Sequence, residues 1–123
     1  MKEEAVKWVE QAKADLRTAE NSMKSKDFYA SVFWSQQSIE KSLKAQIIRD
    51  SDVLLKLHDL IVLGRKAKLP EELIKKIKLM GGIYTESRYG ISEEIPAKKF
   101  KERDSLTFLE IAKEVLRWVE KKI

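Results

Sequence analysis

Two polar side chains stand where the chain's longest helical pattern should be apolar. From Asp27 to Arg49 the sequence reads as one helix with Phe28, Val32, Ile39, Leu43 and Ile47 on one side, yet Gln36 lies among them with Glu40 on the flank. A buried amide or carboxylate costs roughly a few kcal/mol unless it finds a partner, so such a helix belongs to a polar network or faces a site. A second intrusion follows. A later stripe, Leu73, Ile77 and Met80, continues by steps of four into Tyr84 and Arg88. Gly81 and Gly82 beside it suggest a close backbone approach that brings these polar groups to a neighbouring helix, or else a kink. Lys44, one turn beyond Glu40, offers a point charge for phosphate, and Arg88 a fork that grips phosphate with two bonds. The only histidine, His58, adds an outlying candidate beside Asp59.

Each candidate has a plainer reading. Glu40 accepting from Arg88 or Tyr84 would make a structural network that specifies register. A histidine at a helix start serves as a cap or surface contact, and the run Lys75, Lys76, Lys78 reads as a solvated helix face.

The elements that position these residues follow from period and punctuation. Lys2 to about Lys24 carries a narrow stripe of Ala5, Trp8, Val9, Ala12, Leu16, Ala19 and Met23. Ser25 and Lys26 make a short link and Asp27 the next N-cap, which predicts an antiparallel hairpin of the first two helices. A shorter helix follows, with Leu57, Leu60, Ile61, Gly64 and Ala67 on one stripe and Asp59 at the positive end of its dipole. Pro70 opens a fourth helix at its first position, with Glu71 and Glu72 in the first turn. Tyr89 to Phe100 has no helical period and is expected to be the longest loop, able to cover a site. The last helix, about Lys101 to Ile123, shows Phe108, Leu109, Ala112, Val115, Leu116, Val119 and Ile123 on one face. Ile111 and Trp118 widen that arc, which predicts a second packing partner, inside the bundle or across a symmetric homodimer. With no period-two segment, the expected fold is all-α: an antiparallel up-and-down bundle of about five helices with a four-helix-bundle-like core, one domain over residues 1–123.

Composition narrows the chemistry. The 123 residues are 43% apolar and 37% charged, enough to close a single core. The absence of cysteine removes disulfides, thiolate nucleophiles and thiolate-bound zinc, and one histidine leaves little for a transition metal, so no metal and no cofactor are expected. The start of the chain mixes acids and bases without an apolar run, and no segment approaches the length of a membrane span, which predicts a cytoplasmic protein with no membrane partner. A net charge of +5 mildly favours nucleotide or nucleic acid as a partner. No glycine-rich phosphate loop, di-iron carboxylate spacing or hydrolase triad is present.

Three stretches taken together carry a resemblance: Gln36, Gln37, Glu40, Lys41, Lys44 and Ala45; then His58, Asp59 and Leu60; then Tyr84, Ser87, Arg88 and Tyr89. In this order and spacing they are similar to the HEPN family, and the chain also resembles the helical C-terminal domain of kanamycin nucleotidyltransferase, from about Trp8 to Val119. The resemblance implies a bundle of about five helices, often a homodimer, that works beside a separate minimal nucleotidyltransferase subunit and binds nucleotide or polynucleotide. Some members are ribonucleases of toxin–antitoxin systems and carry an Arg followed four to six residues later by His on a late helix. This chain departs there: its one histidine precedes Arg88, Arg103 and Arg117, and the nearest earlier arginine is Arg49. General acid–base cleavage of RNA thus lacks its usual proton carrier. The expectation is a non-catalytic binding subunit with no catalytic residues, using Gln36, Glu40, Lys44, His58, Tyr84 and Arg88 to hold its ligand. The alternatives are a ribonuclease of the toxin class and a purely structural dimerisation module.

Overall fold

A computed structural model describes residues 3–89 and 95–123, with the side chains of 84–89, 96 and 97 left aside. Six helical segments occur among them: α1 (Glu3–Lys24), α2 (Phe28–Ser51), α3 (Leu60–Lys66), α4 (Glu71–Tyr89), α5 (Pro96–Lys99) and α6 (Glu102–Lys122), with no strand. The all-α bundle read from period and punctuation is the one observed, with α5 a single added turn.

Small residues are buried along α1 and α2. Ala5, Ala12 and Ala19 recur every seventh residue of α1 and are fully buried, while Ser31, Ser35, Ser38 and Ser42 of α2 are fully buried as well. Side chains this short let the two backbones approach. The Ser38 hydroxyl donates to the Ala12 carbonyl at 2.8 Å, and Ser105 and Ser31 hydroxyls meet at 2.7 Å between α6 and α2. Trp8 lies near Lys44 and Ala12 near Ser38, so α1 and α2 run antiparallel. Ser31 pairs with Ser105, and Ala45 packs with Leu116 and Val119, so α2 and α6 run parallel at the centre. From the far side α4 crosses back along α6, where Lys76 Nζ donates to both oxygens of Glu114 at 3.0 and 2.9 Å.

The main core gathers Ile39, Leu43, Leu63, Ile74, Ile77, Met80, Phe108, Ile111 and Val115 between these helices. A smaller cluster of Val9, Ala12, Ala45, Leu116 and Val119 closes the end where α1 starts. Leu16 and Trp118 pack against both clusters. No helix among the described residues is long and apolar enough to cross a membrane.

Several local expectations change. Ile111 is 4% exposed and Trp118 packs on the chain's own core, so the wide apolar arc of α6 serves two sides of one bundle and supplies no argument for a dimer. A Cβ added to Gly81 or Gly82 would meet nothing within 4 Å, so no backbone closes on that pair. Asp27 sits at the N-cap of α2 but makes no side-chain cap bond. Pro70 stands one position ahead of the first residue of α4, and its carbonyl accepts from Leu73 and Ile74 N–H at 2.9 and 3.1 Å. The expected loop from Tyr89 to Phe100 contains the turn α5 and ends in the core: Phe100 is 3% exposed, with its ring 5.8 Å from Tyr29 and 6.5 Å from Phe108. Residues 90–94 of that loop lie outside the described residues.

Candidate functional site

The site is built outward from Glu40. Its residue is 8% exposed, and one carboxylate oxygen, Oε2, accepts from Lys44 Nζ at 3.0 Å and lies 2.9 Å from His58 Nδ1. An ionised carboxylate only accepts, so this geometry places the proton of the histidine bond on Nδ1 and leaves Nε2 on the outer side of the ring. The imidazole is 80% exposed. Lys44 itself is 6% exposed, and its Nζ also lies 5.8 Å from the centre of the Trp8 ring. Its charge is held between a carboxylate and an aromatic face, within the range at which a ring attracts a cation. It therefore acts on the site through Glu40 and does not line the opening.

Two helix ends hold the arrangement. Asp59, the N-cap of α3, accepts from the backbone N–H of Ile61 at 2.9 Å and of Val62 at 3.1 Å. This satisfies two orphan donors and fixes His58 one residue before the cap. At the other end of the connection, Asp52 adopts a left-handed conformation, φ 61°, and its N–H bonds to the Ile48 carbonyl, ending α2. Leu55 packs against the main core between these two points.

A cavity of about 310 Å³ opens beside the His58–Glu40 bond, lined by Phe33, Gln36, Gln37, Glu40, His58 and Leu60. A second of about 290 Å³ shares Gln36 and Leu60 with it and continues towards Ile77, Met80 and Gly81 of α4. Gln36, half-buried, thus looks into a hollow and not into packed core. Chemically the surface offers two amides with donors and an acceptor each, an exposed imidazole nitrogen, and the Phe33 ring, which is 39% exposed. Among the described residues no three His, Cys, Asp or Glu side chains gather into a group that could hold a metal ion.

Of the six residues singled out from the sequence, Gln36, Glu40, Lys44 and His58 come together. Tyr84 and Arg88 belong to α4, and their expected meeting with Glu40 lies outside the described residues. Three lining residues escape the sequence reading as site residues: Phe33, Gln37 and Leu60. So does Asp15, 3% exposed, which accepts from Gln11 Nε2 at 2.9 Å and pairs with the Lys41 ammonium. A signal for Asp15 is present, since it falls between Ala12 and Ala19 on the buried side of α1, the same kind of conflict that marks Gln36.

Solved structures share this fold. The protein TT1696 from Thermus thermophilus superposes with a TM-score of 0.83 at 27% identity, over 97% of this chain and 98% of that one. The structure of ST0689, an archaeal HEPN homologue, superposes with a TM-score of 0.80 at 26% identity, over 99% and 98%. No curated protein matches the chain. The model of the HEPN domain family matches residues 5–122, nearly the whole bundle including the Glu40 site, and the chain belongs to that family.

Proposed function

We propose that this protein is a non-catalytic nucleotide-binding subunit that works as a homodimer with a separately encoded minimal nucleotidyltransferase in the cytoplasm. The observation that carries the reading is the buried Glu40–Lys44 pair supporting an exposed imidazole at the mouth of a cavity lined by two glutamine amides and an aromatic ring. A buried ion pair is a poor way to gain stability, since desolvation of both charges offsets much of their attraction. It is an effective way to hold His58 in one orientation. The amides of Gln36 and Gln37 match the mixed donors and acceptors of a base edge, Phe33 gives a stacking surface, and His58 Nε2 suits a ribose hydroxyl or phosphate. Arg88 remains the sequence's candidate for gripping phosphate.

The homodimer is supported by exposed apolar side chains on one short stretch: Val53, Leu54, Leu57 and Val62 are each at least 40% exposed. The ribonuclease alternative lacks its arginine–histidine pair, because the single histidine precedes α3 and bonds to Glu40.

Calorimetric titration with ATP, and separately with an adjacently encoded nucleotidyltransferase, tests the reading. The parent is expected to bind, and Gln36→Ala with His58→Ala to weaken ATP at least about tenfold, the loss of one or two hydrogen bonds. No heat from either titration rejects the reading. RNA cleavage that persists in highly purified protein rejects its non-catalytic part.

A further inference from the structure

A further cavity, of about 260 Å³, lies between the start of α4 and the last turns of α6. Pro70, Glu72 and Leu73 line it on one side, and Glu114, Arg117, Trp118 and Lys121 on the other. The four residues of α6 follow the spacing i, i+3, i+4, i+7 and so form one stripe along the helix. Leu73 is buried, and Trp118 is half-buried and packed against both core clusters, which gives the cavity an apolar floor. Pro70, Glu72, Arg117 and Lys121 are exposed around it.

The rim carries positive charge that nothing in the bundle answers. Lys76 Nζ donates to both oxygens of Glu114, which neutralises that carboxylate. Farther along α6, Glu120 is taken by Lys13 at 3.0 Å. Among the described residues, Arg117 and Lys121 are therefore left without an ion pair. Lys122 adds a third cation, its Nζ 5.6 Å from the centre of the Trp118 ring and within the range at which a ring attracts a cation. Against these three stands the Glu72 carboxylate on the opposite wall.

We infer that this cavity docks an acidic segment of a partner polypeptide. One apolar side chain of the segment enters between Pro70, Leu73 and Trp118, and its flanking carboxylates lie on Arg117 and Lys121. The size favours this occupant: about 260 Å³ falls below the roughly 300–1,000 Å³ of small-ligand pockets, which suits one side chain and not a whole cofactor. Tryptophan and arginine are among the side chains that most often anchor protein interfaces. Glu72 opposes the charge of a phosphate, whereas the N–H groups of a peptide can donate to it. The chain's own net charge of +5 makes an acidic partner, and not a second copy, the complement of this face. This cavity shares no residue with the one beside Glu40, so the docking does not rest on the nucleotide reading.

Fluorotryptophan labelling tests this, since the chain has 3 tryptophans and Trp118→Phe assigns the signal. The probe is the acetylated and amidated pentapeptide Glu-Glu-Leu-Glu-Glu, expected to shift the Trp118 resonance saturably with a Kd of about 1 mM at low salt and more weakly at high salt. Glycine in place of its leucine is expected to weaken binding at least about tenfold, the loss of one buried side chain. Arg117→Glu with Lys121→Glu, both at exposed positions, is expected to weaken it by a similar factor. Glu72→Gln is expected to tighten it about threefold, a gain that a damaged fold would not give. A Trp118 resonance that stays fixed up to about 5 mM peptide overturns the docking, as does an equal response to Lys-Lys-Leu-Lys-Lys or to the glycine peptide. ATP that shifts Trp118 with the same dependence on Arg117 and Lys121 makes the cavity an anion site and overturns the peptide.

Discussion

Glu40 has more riding on it than any other single side chain of the site. Replacing it with Ala takes the carboxylate away from the Lys44 ammonium, 7% exposed, and leaves it beside the Trp8 ring. A buried charge that loses its partner destabilises a fold by about 3 kcal/mol or more, so urea unfolding of Glu40→Ala should show a loss of that size. His58→Ala removes a ring that is 80% exposed, and its cost should stay within about 1 kcal/mol. Similar losses for both variants would mean that the histidine bond carries structural weight, contrary to its place at the rim of the site. At this scale the sequence is informative about conflict and less so about direction. Gln36 and Glu40 are legible because an amide and a carboxylate interrupt an apolar period. Lys44 reads as a phosphate-facing charge because a lysine is nearly always solvated. What turns it inward is Glu40 four residues back and Trp8 on another helix, and the register of α1 against α2 is not contained in the period of either.

The helices show the same division. The five longer helices and their approximate limits are readable from caps and period, down to Asp59 at the start of α3, whereas the turn α5 falls where no helical period shows. The serine stripe is not readable: Ser31, Ser35, Ser38 and Ser42 count as polar, yet all four are fully buried between helices. Ser38→Ala should cost about 1 kcal/mol, the net worth of its bond to Ala12, in the same unfolding measurement. Gly81 is exposed within α4 and has room for a methyl group. Gly81→Ala should therefore stabilise by about 0.5–1 kcal/mol, and a destabilised variant would mean that the position needs glycine for another reason. Between α4 and α6, the hydrogen bond to Glu114 holds the Lys76 pKa above its ordinary 10.5 against an opposing desolvation, with the fields of Glu114 and Glu72 adding to the rise. The folded chain keeps that proton longer than the unfolded one. The contribution is therefore whole below pH 10.5 and is lost as the pH rises through the folded value. Thermal unfolding across the alkaline range should show this loss in the parent and a shallower one in Lys76→Met.

For the whole molecule, the apolar arc of α6 is shared between two sides of one bundle, because a central helix needs more than one stripe. The exposed surface that asks for a partner lies elsewhere, around Leu54 and Leu57. Light scattering is expected to give twice the 14.3 kDa chain mass, and Leu54→Glu with Leu57→Glu to give a monomer. A parent that is monomeric at micromolar concentration contradicts the homodimer.

The central claim, that the cavity beside Glu40 holds a nucleotide, is open to a direct spectroscopic test because His58 is the only histidine and its ring gives an unambiguous signal. ATP added to labelled protein is expected to shift the His58 ring and the Gln36 and Gln37 side-chain amides together, saturating at a common concentration. If these signals stay fixed while ATP is bound elsewhere or not at all, the Glu40 cavity is not the site.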